Sequence, residues 1–374
     1  MKFSLSSTAL SSRLSILSRV IGSKSPIQIL ESYLFEISGN ELKMTASDNE
    51  NVMVSTLQLD QCDGEGSFCV PSQTILDAVK ELPDQPLNFD VDTDTNTIKI
   101  IYQNGIYNFT TQNSDEYPQT QPMGDGATSI NIDAGVLNAN ITRCIFATAQ
   151  DDLRPVMNGI YFDLTADGLA IVASDGHKLV RNRVLNIISD IPAAFILPKK
   201  PATLLKNVLA KDGGDVEIRF DGKNAVINFA EGSLSCRLIE GRFPNYNSVI
   251  PQKNPNNMTI DRKSLLGGLR RVLPFSSDSS QLVRLHLETD RLEISAEDID
   301  FSTSAKESIT CDYSGQPMDI GFKGSSLQEI LSNMDSDEII ISLADPSRAG
   351  IITPVQQPEQ QDVLMLLMPM LLND

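Results

Sequence analysis

The chain has 374 residues, 41% of them hydrophobic, and a formal net charge of -19. That length holds two or three ordinary domains, and that apolar fraction excludes wholesale disorder. So acidic a balance argues against a surface that wraps phosphates all over, so a nucleic-acid role requires the few basic residues to be concentrated in one place.

In chain order, the first predicted element is a helix over residues 7–22, where Leu10, Leu14, Leu17 and Ile21 recur at helical spacing. The same stretch is rich in Ser, contains Arg13 and Arg19 and precedes the first acid, Glu31, so on composition alone it would pass for a transit peptide. Its recurrence further along decides for a helix of the fold. Next comes Leu34-Phe35-Glu36-Ile37 to Asp48, which reads as strand, polar turn, strand. Phe68-Cys69-Val70-Pro71 follows as a short strand, residues 72–82 as a second helix, and Asn88-Phe89-Asp90-Val91 as an alternating strand.

This order then occurs twice more. Helices are predicted over 134–148 and 262–273, and strand–turn–strand units over Tyr161-Phe162-Asp163-Leu164 to Asp175 and Leu285-His286-Leu287-Glu288 to Asp298. Second helices fall at 199–210 and 324–334, with alternating strands at Val216-Glu217-Ile218-Arg219 and Glu338-Ile339-Ile340-Ile341. Leu42, Leu169 and Leu292 correspond at spacings of 127 and 123, as do Ala46, Ala173 and Ala296, and Asp48, Asp175 and Asp298. A shared pair of offsets at three positions marks an internal repeat of domain size. The fold class is therefore α+β: three copies of a helix, hairpin, helix, hairpin unit with antiparallel sheets. Boundaries are expected at 1–125, 126–253 and 254–374, with linkers at Asn113 to Ala127 and Pro251 to Asn257.

Charge is segregated along the chain. Residues 7–24, 134–150, 199–211 and 262–275 hold twelve of the 30 basic residues and none of the 49 acids. Arg13, Arg19, Lys24, Arg143, Lys199, Lys200, Lys206, Arg270 and Arg271 are the candidate phosphate contacts among them. A bland reading is that these are ordinary solvated helix faces. The sharper one is a basic, helix-lined surface that holds a duplex without reading its bases. Six equivalent helices at about 8–10 Å spacing close a circle too small for DNA, whereas twelve leave a hole of roughly 21–28 Å. Two chains closed head to tail supply twelve.

Met1-Lys2-Phe3, Ser174-Asp175-Gly176-His177-Lys178-Leu179, Gly241-Arg242-Phe243-Pro244-Asn245-Tyr246 and Met368-Pro369-Met370 resemble the bacterial beta sliding clamps, the beta subunits of DNA polymerase III. The resemblance spans the whole chain, repeat included. It implies a homodimeric, cytoplasmic ring with helices inside and sheets outside, which encircles double-stranded DNA regardless of sequence. A clamp loader opens such a ring, and the replicative polymerase and repair proteins dock on it through short linear peptides. The docking pocket it implies comprises Met157, Ser174, Gly176, His177, Lys178, Leu179, Pro244, Val249, Leu366, Met368, Pro369, Met370 and Leu372. The dimer seam it implies sets Tyr107 and Phe109 against Pro274 and Phe275 of the other chain. No cofactor or metal is implied. Two departures from the family pattern stand out: Leu371 where a basic residue is usual, followed by two extra residues, and Ser72 and Gln73 at the start of a helix where basic residues would help DNA contact.

The tail makes sense without the resemblance. Residues 363–372 are wholly apolar and too few to span a membrane. Pro369 points to an edge or extended segment, and methionines suit an adaptable docking surface. The rival readings are an acidic peptide-binding scaffold without DNA contact, and a hydrolase using Asp175 and His177. The second lacks a nucleophile or metal partner at useful spacing. The five cysteines form no CxxC and are odd in number, which fits reduced thiols of a cytosolic protein.

Overall fold

The computed structural model describes residues 1–22, 25–118, 123–124, 126–151, 153–210 and 213–372. Among the described residues six α-helices are formed: α1 (Ser7–Leu17), α2 (Ser72–Lys80), α3 (Ala134–Ile145), α4 (Lys199–Leu209), α5 (Arg262–Val272) and α6 (Gly324–Asn333). They fall where the repeat predicts them, although α1 stops at Leu17, short of Ile21. Each repeat carries one early and one late helix, and residues Lys2–Ser6 ahead of α1 are a strand paired with Pro86–Asp92. Leu10, Leu14 and Leu17 are fully buried, which fixes the inner stripe of α1.

The marker residues of the repeat prove to be structural. Leu42, Leu169 and Leu292 sit on equivalent strands, paired with Leu57, Val184 and Ile309, and all three are buried. The aspartates close the hairpin turns. Asp48 Oδ1 accepts from the N–H groups of Glu50 and Asn51, Asp175 Oδ1 from those of His177 and Lys178, and Asp298 Oδ1 from those of Asp300 and Phe301. A short side chain that satisfies two turn donors explains why each repeat keeps an Asp there.

By internal contacts the chain forms two units. One comprises Met1–Asn138 with Lys200–Leu238, the other Ala139–Lys199 with Ile239–Asp374. The units do not coincide with single repeats, because strands pair across the repeat boundaries. In the first unit, Gly232–Arg237 runs antiparallel to Asn51–Gln58, with Gly232 opposite Ser55 and Cys236 opposite Asn51, joining eight strands into one sheet. In the second, Gln361–Leu367 pairs with Lys178–Val184, with Leu367 opposite Lys178, within a nine-stranded sheet. Each unit also holds a smaller sheet. That of the first ends in Gly105–Thr110, and the four-stranded sheet of the second ends in Thr303–Thr310.

The first unit also contains Arg13 on α1, which forms an ion pair with Glu231, and Lys200 on α4, which reaches Asp48 and donates to the Val20 carbonyl at 2.8 Å. The four cysteines Cys69, Cys144, Cys236 and Cys311 are buried and Cys62 is half-buried, all as free thiols. Among the described residues no helix is long and apolar enough to cross a membrane, and no group of three or more His, Cys, Asp or Glu side chains is arranged to hold a metal ion.

Candidate functional site

All thirteen residues of the expected pocket belong to the second unit, and Lys178, Leu179 and Leu366 lie in the pairing of Lys178–Val184 with Gln361–Leu367. The floor is an apolar cluster that includes Leu179, Leu366, Val172, Ile196, Phe243 and Tyr246, flanked by the half-buried Val156, Tyr161, Ile250 and Ile351. Tyr161 stacks on Phe243 with ring centroids 4.7 Å apart, and the Tyr246 hydroxyl donates to Asp163 Oδ2 at 2.8 Å. These rings give the floor a rigid wall. The Phe-Pro-Asn-Tyr segment thus supplies two buried aromatics, while Pro244 and Val249 stand exposed beside them.

The tail forms the opposite rim. Gln361–Leu367 is a central strand of the sheet, between Lys178–Val184 and Gly350–Pro354. This corrects the edge alternative drawn from Pro369, whereas Pro369 itself lies outside the strand, in keeping with the extended-segment alternative. The proline lies two residues beyond the end of the ladder, where its missing N–H costs nothing. Beyond the strand, the Met368 N–H donates to the His177 carbonyl and the Met370 N–H to the Gly321 carbonyl, both at 2.8 Å. Gly321 is required here, because a Cβ would lie 2.8 Å from the Met370 carbonyl oxygen and from Leu372 Cδ2. Met368 is 41% exposed and Leu371 83%. The residue that departs from the family pattern therefore presents an apolar side chain to solvent.

The turn that meets the tail is Ser174 to Lys178. Gly176 has φ +91°, and the Arg154 guanidinium approaches to 2.7 Å from where its Cβ would be. Arg154 was not anticipated from the sequence, since only the folded turn brings it over Gly176. His177 is exposed and uses its backbone alone, its N–H bonded to Asp175 and its carbonyl to Met368. The Asp175 carboxylate is turned to the backbone and to Lys178 Nζ at 2.6 Å. A general base aimed at a substrate needs the opposite arrangement, so the hydrolase reading finds no support in this geometry.

Lys178 is nearly buried and also meets Glu329 of α6 at 3.2 Å. Burial by itself raises the Asp175 carboxyl, but Lys178 and the two turn N–H groups outweigh it and hold that carboxyl below the usual range. Burial by itself lowers the Lys178 ammonium, and Asp175 and Glu329 outweigh it, so its pKa is raised. Asp175 thus stabilises the fold fully above its unfolded pKa of about 3.9, and this is lost as pH falls through the folded value. Lys178 stabilises fully below about 10.4, and this is lost as pH rises through the folded value. Urea melts across pH are expected to show a plateau between these limits, with Asp175→Asn lowering the plateau and shrinking the acid fall.

The basic residues are less uniform than their sequence segregation implies. Arg19 and Arg270 are exposed, Lys199 and Lys206 are half-buried, and Lys24 lies outside the described residues. Arg13, Lys200 and Arg271 each meet a carboxylate brought by a distant strand or turn, namely Glu231, Asp48 and Glu307. Arg143 is a correction. It is buried, donates to Gln361 Oε1 at 3.2 Å and lies 4.0 Å from Asp335, and burial lowers its pKa. Its helix turns that side chain away from solvent, so it ties α3 to the last strand. Arg143→Ala is expected to cost about 1–3 kcal/mol by removing the charged donor to Gln361 Oε1, which keeps only the Asn140 amide at 3.1 Å, seen as a lower urea midpoint, while DNA retention is unchanged.

At the expected seam, Tyr107 is half-buried and stacks on Tyr102 with centroids 4.8 Å apart, Phe109 is half-buried, and Pro274 and Phe275 are exposed.

Three family models describing the DNA polymerase III beta subunit match consecutive parts of the chain: the N-terminal domain at residues 1–121, the central domain at 131–245 and the C-terminal domain at 247–371. Among curated relatives, the beta sliding clamp of Pseudomonas putida is 27% identical over 373 residues, covering 99% of this chain and 100% of the relative. That of Synechococcus elongatus is 25% identical over 364 residues, covering 95% and 96%. Among solved structures, the Pseudomonas aeruginosa sliding clamp bound to griselimycin superposes with a TM-score of 0.93 at 24% identity over all of both chains, a likeness of fold. The Thermotoga maritima DNA polymerase III beta subunit superposes with a TM-score of 0.89 at 25% identity, again over all of both chains.

Proposed function

Since this chain belongs to the DNA polymerase III beta subunit family, the beta sliding clamps, we propose that two copies close head to tail around duplex DNA and tether the replicative polymerase to it. The chain is a processivity factor and not an enzyme. Its three clamp domains are taken as residues 1–125, 126–253 and 254–374.

The observation that carries the ring is a pair of edges. The ladder between Asn51–Gln58 and Gly232–Arg237 is repeated by Lys178–Val184 and Gln361–Leu367. The remaining members of these two strand families are Thr303–Thr310 and Gly105–Thr110, and each ends a sheet. A third ladder of the same kind forms between two chains and leaves no family member unpaired. The register follows from Leu234 opposite Met53 and Met365 opposite Val180, which places Tyr107 opposite Ala305 of the second copy. Pro274 and Phe275 then belong to the same seam as Tyr107 and Phe109. Charged edge residues such as Lys306 and Glu307 restrain unselective pairing of this strand with other sheets.

Inside the ring, Arg19, Lys199, Lys206, Arg270 and the basic residues beside them attract phosphate without reading bases, and the partnered Arg13, Lys200 and Arg271 contribute less. Such contacts are weak and salt-sensitive, which permits sliding, because linkage and not affinity retains the clamp. The pocket of Met157, Ser174, Gly176, His177, Lys178, Leu179, Pro244, Val249, Leu366, Met368, Pro369, Met370 and Leu372 takes short peptides of the polymerase, the clamp loader and repair proteins. Tethering raises their effective concentration at the primer end. The setting is the cytoplasm, where the chromosome is copied.

The test is retention on closed circular DNA before and after one double-strand cut, on molecules loaded by a clamp loader. Retention that survives high salt on the circle and is lost on linearisation supports the reading. Retention indifferent to the cut overturns the topological mechanism. No retention on either, with peptide binding intact, favours an acidic peptide-binding scaffold.

A further inference from the structure

The third hairpin turn differs from the other two in length. Leu42 opposes Leu57 and Leu169 opposes Val184, each 15 residues on, whereas Leu292 opposes Ile309, 17 residues on. The two added residues fall in the turn Asp298 to Thr303, which carries Ile299 and Phe301, 82% and 78% exposed. Two large apolar side chains on a hairpin tip, in a chain with net charge -19, call for a cover.

The equivalent tips show where that cover lies. Asp48 of the first takes Lys200 from the first turn of α4, and the Glu50 carbonyl accepts from the Arg237 N–H at 3.0 Å. Lys178 of the second meets Glu329 of α6, and the His177 carbonyl accepts from the Met368 N–H. Each tip therefore rests between the end of the strand it pairs with and the late helix of the following repeat. For the third tip the paired strand is Gly105–Thr110 of a second copy, and the late helix is that copy's α2, with Gln73 and Asp77 at the positions of Lys200 and Glu329. A cavity of about 510 Å³ opens at this place, lined by Ile21, Tyr33, Pro71, Gln73, Leu76 and Gln112 among others. Gln112 lies two residues beyond the end of Gly105–Thr110.

We propose that the lengthened hairpin tip of one copy seats Ile299 and Phe301 against the α2 cavity of the other, as an apolar latch at each seam. This rests on the ring reading above and adds a contact outside the strand ladder. The latch supplies apolar burial where Ser72 and Gln73 leave the helix start without charge. It works identically at both seams, as a head-to-tail dimer requires.

The test is sedimentation of the full chain over a dilution series, with circular dichroism melts to confirm folding. The double variant Ile299→Ser, Phe301→Ser is expected to raise the dimer dissociation constant roughly tenfold to a hundredfold, since buried anchors of this kind dominate interface energy. Leu76→Glu on the cavity side is expected to weaken the dimer in the same direction. A control carrying Ile188→Ser and Ile191→Ser, exposed apolar residues elsewhere on the second unit, is expected to change nothing. In addition, Phe301→Cys with Gln73→Cys is expected to give a disulfide between chains under oxidation. A wild-type chain that stays monomeric at every concentration overturns the ring reading and the latch with it. A double variant that dimerises as tightly as wild type overturns the latch alone.

Discussion

Removing residues 368–374 is expected to weaken binding of a partner-derived peptide by about a hundredfold or more while leaving the fold and the dimer in place. The last strand, Gln361–Leu367, is central, and its seven residues keep their pairing with Lys178–Val184 without the tail. What is lost is the rim: Met368 held by the His177 carbonyl, and Met370 and Leu372 against Gly321. Apolar anchors at the centre of a docking groove typically cost 2–4 kcal/mol each on truncation, and about 1.4 kcal/mol corresponds to tenfold. Fluorescence anisotropy of a labelled peptide measures the loss. Loading onto circular DNA is expected to fall as well, because the clamp loader uses the same pocket, and processive synthesis by the polymerase falls to the level seen without a clamp. If the peptide binds the shortened chain as before, the groove is not the docking site. If the dimer is also lost, the tail has a role at the seam.

A second large effect is expected from Asn108→Pro on the edge strand Gly105–Thr110. The N–H groups of Arg237 and Met368 point at the neighbouring repeat's tip, and these residues are equivalent to Thr110. Alternation along the strand then aims the N–H groups of Asn108 and Ile106 outward as well. The Thr111 N–H, by contrast, turns inward to the Asn96 carbonyl at 2.9 Å. A proline at 108 therefore removes a donor from the seam and none from its own hairpin, which an edge strand tolerates. The dimer dissociation constant is expected to rise a hundredfold or more, seen by light scattering on dilution, with a melting profile close to that of the wild-type monomer. Retention on circular DNA disappears with the dimer, and peptide binding in the second unit remains. A variant that dimerises normally would show that the seam does not use this edge.

Much of this arrangement is legible in the amino-acid order, for identifiable reasons. Leu42, Leu169 and Leu292 mark the repeat because each occupies one buried position on one strand, and a buried leucine is hard to replace. The proposed pocket rests in the sequence on the family resemblance of the Asp-Gly-His-Lys-Leu and Phe-Pro-Asn-Tyr segments and on the apolar tail, which are local signals. Pairings between repeats are not local. Nothing in the order of Asn51–Gln58 announces that it meets Gly232–Arg237, some 180 residues on, so neither the shared sheets nor the two contact units could be read directly. The charges mislead for the same reason. Arg143 sits in an acid-free stretch, yet the fold brings Gln361 and Asp335 to it. Pro369 misleads in a smaller way, since its effect on a strand depends on whether the strand has already ended.

The shared sheets have a consequence for how the chain comes apart. Strands from successive repeats exchange backbone hydrogen bonds within a single ladder, so cutting the backbone between Tyr117 and Thr128 leaves the first repeat still zipped to the second through Asn51–Gln58 and Gly232–Arg237. Two polypeptides made separately from such a break are expected to reassemble, as the halves of a split reporter do. Covalent continuity and mechanical continuity thus follow different routes through this molecule, and a protease that nicks a linker severs only the first.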